Sequence, residues 1–79
     1  MSGGDTWPQP EAPLAEGQRV GRFIVLRDLD GVTHAVAAGS VGAACATDEG
    51  TVLMLPGGRM VHVPRSLGTV LAWLDGRNQ

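Results

Sequence analysis

The sequence predicts a small α+β fold that is mainly β: an antiparallel β-meander or partly open barrel of four or five strands with one C-terminal helix. Short runs of β-branched and aliphatic residues fill the middle of the chain, and glycine-containing turns separate them. A helical spacing of apolar residues begins only after Ser66. The chain has 79 residues, which is enough for one small domain.

The first residues differ in composition from the rest. The stretch "MSGGDTWPQPEAPLAEGQ" is rich in proline, glycine and acidic residues and has few apolar side chains to bury. We expect a flexible Pro-rich N-terminal arm over residues 1–18. Residues 19–76 are expected to form a single β-rich domain with a C-terminal helix.

The stretch from residue 23 to residue 36 predicts a first hairpin. "RFIVLR" and "VTHAVA" are strand-like runs, and the Asp30-Gly31 pair between them is typical of a tight turn. The next segment, over residues 39–47, consists of small residues and is compatible with a strand or with a helical turn. We expect its single cysteine, Cys45, to be a small buried thiol.

"GTVLMLPGGRMVHVP" predicts a second hairpin. Pro56 presets the first corner of a turn, and Gly58 can take a left-handed backbone conformation. In that register one face carries Leu53, Leu55, Val61 and Val63, and the other carries Val52, Met54, Met60 and His62. A two-residue turn at Gly57-Gly58 would shift the pairing by one, but both faces would remain largely apolar.

The C-terminal stretch "SLGTVLAWLDG" predicts one short helix. Ser66 suits the N-cap, and Gly76 suits the left-handed position that ends a helix. The apolar residues expected to face the sheet follow helical spacing, with Trp73 at the margin of the stripe: Leu67, Val70, Leu71 and Leu74.

The second face of the predicted sheet is the candidate binding surface. A helix this short can cover only one face, so the other is expected to meet either the first hairpin, folded over as a small barrel, or a second copy of the chain. An uncovered apolar face is typical of an interaction site. We therefore expect a non-catalytic interaction or regulatory protein that forms a homodimer or binds a protein partner of unknown identity. The predicted partner-binding residues are Val52, Met54, Met60, His62 and Trp73.

No cluster of residues predicts catalysis, a metal or a cofactor. His34, His62 and Cys45 lie on separate segments without the short ligand spacing of a zinc site. Asp28 and Asp30 are explained by their position at a hairpin turn. We therefore expect no enzyme activity, no catalytic residues, no metal and no cofactor.

Nucleic-acid binding is the second hypothesis, because small β-barrels of this size often bind RNA or DNA. The net charge is −2, and the basic residues are all arginines scattered along the chain, so tight phosphate-driven binding is not expected. Phe23 is the one aromatic residue in the predicted strands, which leaves no stacking platform. The alternative function is a small nucleic-acid-binding regulator with an SH3-like barrel.

The N-terminus does not resemble a signal peptide, and no apolar run is long enough to cross a bilayer. We expect a cytoplasmic protein without membrane insertion. The absence of lysine beside abundant alanine, glycine, valine and arginine indicates a GC-rich bacterial or phage gene.

The order of these motifs resembles a known family. A strand, an "LDG" turn, a strand, a small segment, "GTVLML-PGG-RMVHV", a serine and "VLAWL" are similar to the small FlbD/SwrD-like proteins of bacterial flagellar loci, over residues 23–74. The resemblance implies a non-enzymatic accessory protein connected with motility. The positions that match are Leu29, Gly31, Thr51, Val52, Leu55, Gly58, Val63, Ser66, Val70 and Leu74.

Overall fold

Residues 14–76, which the computed structural model describes, form two three-stranded antiparallel sheets and one helix. The first sheet has the order β1-β2-β3, and the second has the order β4-β5-β6. Residues 1–13 of the predicted arm, and Arg77 with the last two residues, lie outside the described residues. The elements are β1 (Arg19–Val20), β2 (Phe23–Arg27), β3 (Thr33–Ala37), β4 (Ala43–Thr47), β5 (Gly50–Leu55), β6 (Arg59–Val63) and α1 (Leu67–Asp75).

The predicted mainly β architecture with one C-terminal helix is confirmed, but the predicted sheet is wrong. The structure has six strands in two sheets, rather than four or five strands in one meander or partly open barrel. The chain leaves the first sheet after β3 through a short 3-10 turn, Ala38–Ser40, and begins the second sheet with β4. The two sheets therefore separate at the segment of small residues, residues 39–47, for which the sequence is compatible with a strand or a helical turn.

Both predicted hairpins form. In the first, β2 pairs with β3 from Phe23↔Ala37 to Arg27↔Thr33. In the second, the three-residue Pro56–Gly58 turn has positive φ at Gly57 and Gly58, 81° and 78°, which only glycine adopts without strain. The resulting register pairs Met54 with Met60, as expected from the three-residue turn.

The core lies between the two sheets and the helix. Thr51, on β5, is also buried, and its hydroxyl donates to the Arg65 carbonyl oxygen at 2.8 Å, so its polar atom is satisfied. The buried apolar cluster comprises Ile24, Leu26, Val36, Leu53, Val61, Val63 and Val70.

Helix α1 begins and ends as predicted but is rotated from the expected orientation. The Ser66 hydroxyl accepts the Thr69 amide, and Gly76 is left-handed at φ 67°. Val70 is buried, whereas Leu71 is 48% exposed, so its assignment to the buried stripe was wrong. Trp73 packs against the core instead. The larger ring buries more apolar area than the leucine would, which favours this rotation.

Residues 14–20 hold the helix against the first sheet. The Gly17 amide donates to the Val25 carbonyl oxygen at 2.7 Å, and the Val25 amide donates to the Gln18 carbonyl oxygen at 2.9 Å. Arg19 donates from Nη2 to the Leu74 carbonyl oxygen at 3.2 Å, near the end of α1. Across residues 14–76, no helix combines the length and apolar character needed to cross a bilayer.

Candidate functional site

The surface of the second sheet that points away from the core is the candidate functional site. Because strand residues alternate between faces, the paired residues of β4, β5 and β6 that are not in the core share this surface. We call it the outer face. It is formed by Ala43, Cys45, Thr47, Val52, Met54, Met60 and His62.

Two rows of side chains cross the outer face. Met60, Met54 and Ala43 are directly paired across the three strands and form the first row. His62, Val52 and Cys45 form the second row. Large side chains therefore lie on β5 and β6, while β4 presents small ones.

The apolar side chains of the outer face are accessible to solvent. Met60 is 64% exposed and Met54 is 42% exposed, and Val52 in the second row is half-buried. Cys45 is a free and exposed thiol, so its predicted burial was wrong. Strand β4 turns this side chain outward, because Cys45 pairs with Val52 rather than with a core residue.

One end of the outer face is polar. His62 Nε2 lies 3.0 Å from the Thr47 hydroxyl and 3.9 Å from a carboxylate oxygen of Glu49. The Glu49 amide also donates to the Thr47 hydroxyl, at 3.2 Å. This arrangement orients the imidazole along the edge of the apolar patch and leaves Met54 and Met60 uncovered.

The structure brings together four of the five residues predicted to bind a partner. Val52, Met54, Met60 and His62 are neighbours on the outer face. Trp73 is elsewhere: it is partly buried on α1 and packs against the core, and its indole lies so close to Gly17 that an added Cβ there would be 2.5 Å from the ring.

Sequence reasoning did not identify Ala43 and Cys45 as part of the surface. Their alternation with Ala44 and Ala46 is the signal that could have placed them, since residues of one parity in a strand share a face. Alanine is uncommon in strands, so the sequence does not distinguish a strand from a helical turn here, and the alternation predicts no face.

The arginines of the described chain serve several local contacts. Arg65 forms a bidentate pair with Glu16, with N to O distances of 3.1 and 2.7 Å, and this pairing lowers the pKa of the Glu16 carboxyl. The Arg22 guanidinium lies 5.4 Å from the centre of the Phe23 ring. These contacts supply no observation in favour of the nucleic-acid hypothesis, which stays a prediction.

The chemically reactive groups of the outer face are one imidazole, one thiol and one hydroxyl. Within residues 14–76, no group of three or more histidine, cysteine, aspartate or glutamate side chains is placed to hold a metal ion. The arrangement is best suited to burying apolar surface against another molecule. Comparisons with protein-family models, curated proteins and solved structures found no match to this chain.

Proposed function

We propose that this chain is a non-catalytic interaction protein that works as a homodimer through its outer face. The observation that supports this is the cross-strand pair of two exposed methionines, Met54 and Met60, next to Ala43 and Val52 on the outer face. Contiguous apolar area of this kind is typical of a surface that meets another protein.

Burial of the methionines supplies the driving force for association. A methionine side chain that moves from water into an apolar contact contributes up to about 1.5–3 kcal/mol. In a two-fold dimer both copies contribute Met54 and Met60, so four methionine side chains are buried. Methionine is also unbranched and polarizable, so it adapts to the surface it meets.

A second copy of the chain is the occupant that fits the shape and charge of the face. The methionines form a ridge on β5 and β6, and the small side chains of Ala43 and Cys45 form a hollow on β4. Two copies related by a two-fold axis can place the ridge of each in the hollow of the other. The apolar rows carry no fixed charge, so identical surfaces do not repel each other.

The biological role we propose is that of a regulatory or accessory protein in the cytoplasm of a bacterium, or in phage infection. The resemblance to FlbD/SwrD-like proteins supports a role in motility. Loss of swimming on deletion of the gene in its host, with rescue by the native chain but not by a chain altered at the outer face, would support that role.

Sizing chromatography with light scattering over a concentration series tests the dimer. The native chain is expected to change from the monomer mass to the dimer mass as its concentration rises. The double variant Met54→Glu plus Met60→Glu is expected to remain monomeric, because it would bury four carboxylates in the interface.

Leu71→Glu is the matched control. Leu71 is about as exposed as Met54 but lies on the helix, so this variant should dimerise normally. A folded double variant that dimerises like the native chain would refute the outer face as the interface. A native chain that stays monomeric at millimolar concentration would refute the homodimer itself.

A further inference from the structure

A cleft lies where the two sheets separate, on a different part of the molecule from the outer face. The two sheets are joined near the turn between β2 and β3, where the Leu29 amide donates to the His62 carbonyl oxygen at 3.0 Å. Beyond that bond, β3 and β6 are not hydrogen-bonded to each other. The gap opens into a cleft of about 270 Å³ between β3 and the tip of the second hairpin.

The backbone of β3 borders this cleft with amide and carbonyl groups that make no hydrogen bond within residues 14–76. In an antiparallel pair, alternate residues direct both their amide and carbonyl groups toward the partner strand. The bonds from Asp28 to Val32 and from Ala38 to Arg22 show which residues of β3 face β2, namely those of even number. Ala35 and Ala37 therefore direct their backbone groups into the cleft.

Strand β3 also lacks the usual protection of a free edge. Native edge strands commonly carry a proline, a bulge or a charged side chain that prevents pairing. β3 reads "THAVA", pairs with β2 without interruption and has alanines at the two positions that line the cleft. An extended chain can approach this edge without a steric obstacle from β3 itself.

The floor and rim of the cleft specify what such a chain should carry. Val36, Leu55 and Val61 supply an apolar floor. The rim carries Arg59 and His34, and no aspartate or glutamate lines the cleft. Arg59 has no ion pair within residues 14–76, so its charge is available to a ligand.

We propose that the cleft binds an extended acidic segment of a partner protein, which adds as a strand to the free edge of β3. Backbone hydrogen bonds to Ala35 and Ala37 would hold the segment, an apolar side chain would rest on the Val36–Val61 floor, and an acidic side chain would pair with Arg59. The site is independent of the dimer interface on the outer face.

The test uses two synthetic peptides that differ at one residue, acetyl-SVTVDVT-amide with a net charge of −1 and acetyl-SVTVKVT-amide with a net charge of +1, added to the full-length ¹⁵N-labelled protein. The acidic peptide is expected to bind, and at saturation the amide exchange of Ala35 and Ala37 should slow about tenfold or more. The Val36 amide is the internal control, because it is already bonded within the β2–β3 ladder.

Variants separate the two parts of the proposal. Arg59→Glu should lower the affinity for the acidic peptide about fivefold. Arg22 is an exposed arginine outside the cleft, so Arg22→Glu should leave this affinity unchanged. Methylation of the peptide nitrogens that face β3 should abolish binding. The Met54→Glu plus Met60→Glu variant should bind as the native chain does, whatever its oligomeric state.

Three results would overturn the proposal. The first is the absence of saturable binding at millimolar acidic peptide. The second is binding that leaves the exchange of Ala35 and Ala37 unchanged. The third is an exchange protection of these two amides that is present without peptide and increases with protein concentration. A second copy of the chain would then occupy the edge.

Discussion

Gly50 occupies a backbone position that a side chain cannot fill. Its φ is 137°, and an added Cβ would collide with the carbonyl oxygen of Val63. Gly50 also pairs with Thr47 on β4. Gly50 therefore permits both the start of β5 and its close approach to the end of β6.

Gly50→Ala tests whether this position requires glycine. We expect the free energy of unfolding to fall by at least about 2 kcal/mol, because the cost of the strained backbone adds to the cost of the collision with the Val63 carbonyl oxygen. Urea denaturation followed by circular dichroism measures it. Gly39→Ala is the control: no atom lies within 4 Å of a Cβ placed there, and it should change stability little. Equal stability of the two variants would contradict this account.

At the scale of elements, the turn of the first hairpin depends on Asp28. One carboxylate oxygen of Asp28 accepts the amides of Asp30 and Val32, both at 2.9 Å, and the other lies 2.7 Å from His34 Nε2. The bond with His34 and those backbone amides hold the pKa of Asp28 below its ordinary value of 3.8. The turn is therefore built around an ionised carboxylate.

The pH dependence of stability follows from this lowered pKa. A carboxyl whose pKa is lower when folded stabilises the protein above its unfolded pKa, and the contribution is lost as the pH falls through the folded pKa. We expect the urea concentration at the unfolding midpoint to decrease as the pH is lowered below about 4. This decrease should be smaller in the Asp28→Asn variant.

Asp30→Asn is the matched control for the turn. The Asp30 carboxylate makes no hydrogen bond within residues 14–76, so this variant should keep the native acid dependence. An Asp28→Asn protein whose midpoint follows pH as the native one does would show that the turn does not depend on the ionised carboxylate.

For the whole molecule, the small core makes association important. The buried apolar cluster consists of seven aliphatic side chains from two sheets and one helix. A core of this size gives a small domain only a few kcal/mol of net stability. Burial of the outer face against a second copy would add to that, so folding and dimerisation are expected to be coupled.

Coupling predicts that thermal stability rises with protein concentration. For a dimer that unfolds to two chains, each tenfold increase in concentration should raise the midpoint by roughly 3–5 °C. Scanning calorimetry over two decades of concentration measures it. The Met54→Glu plus Met60→Glu variant should have a constant midpoint, and Leu71→Glu should follow the native chain. A constant midpoint for the native chain would contradict the coupling.

Local features of the chain are enough to predict its hairpins and its helix ends. Turn chemistry at Asp30-Gly31 and at Pro56-Gly57-Gly58 predicts both hairpins, because these residues restrict the backbone whatever surrounds them. The same register places Val52, Met54, Met60 and His62 on one face, since alternation along a strand is a local property. The helix ends at Ser66 and Gly76 follow from capping, which is equally local.

The way in which these elements pack together follows from long-range contacts. The division into two sheets, the outward position of Cys45 and the packing of Trp73 rather than Leu71 all depend on contacts between residues distant in sequence. The cleft at the free edge of β3 also exists only because the two sheets separate there. Packing of this kind is decided by the shape and volume of the whole core, which no short stretch of sequence contains.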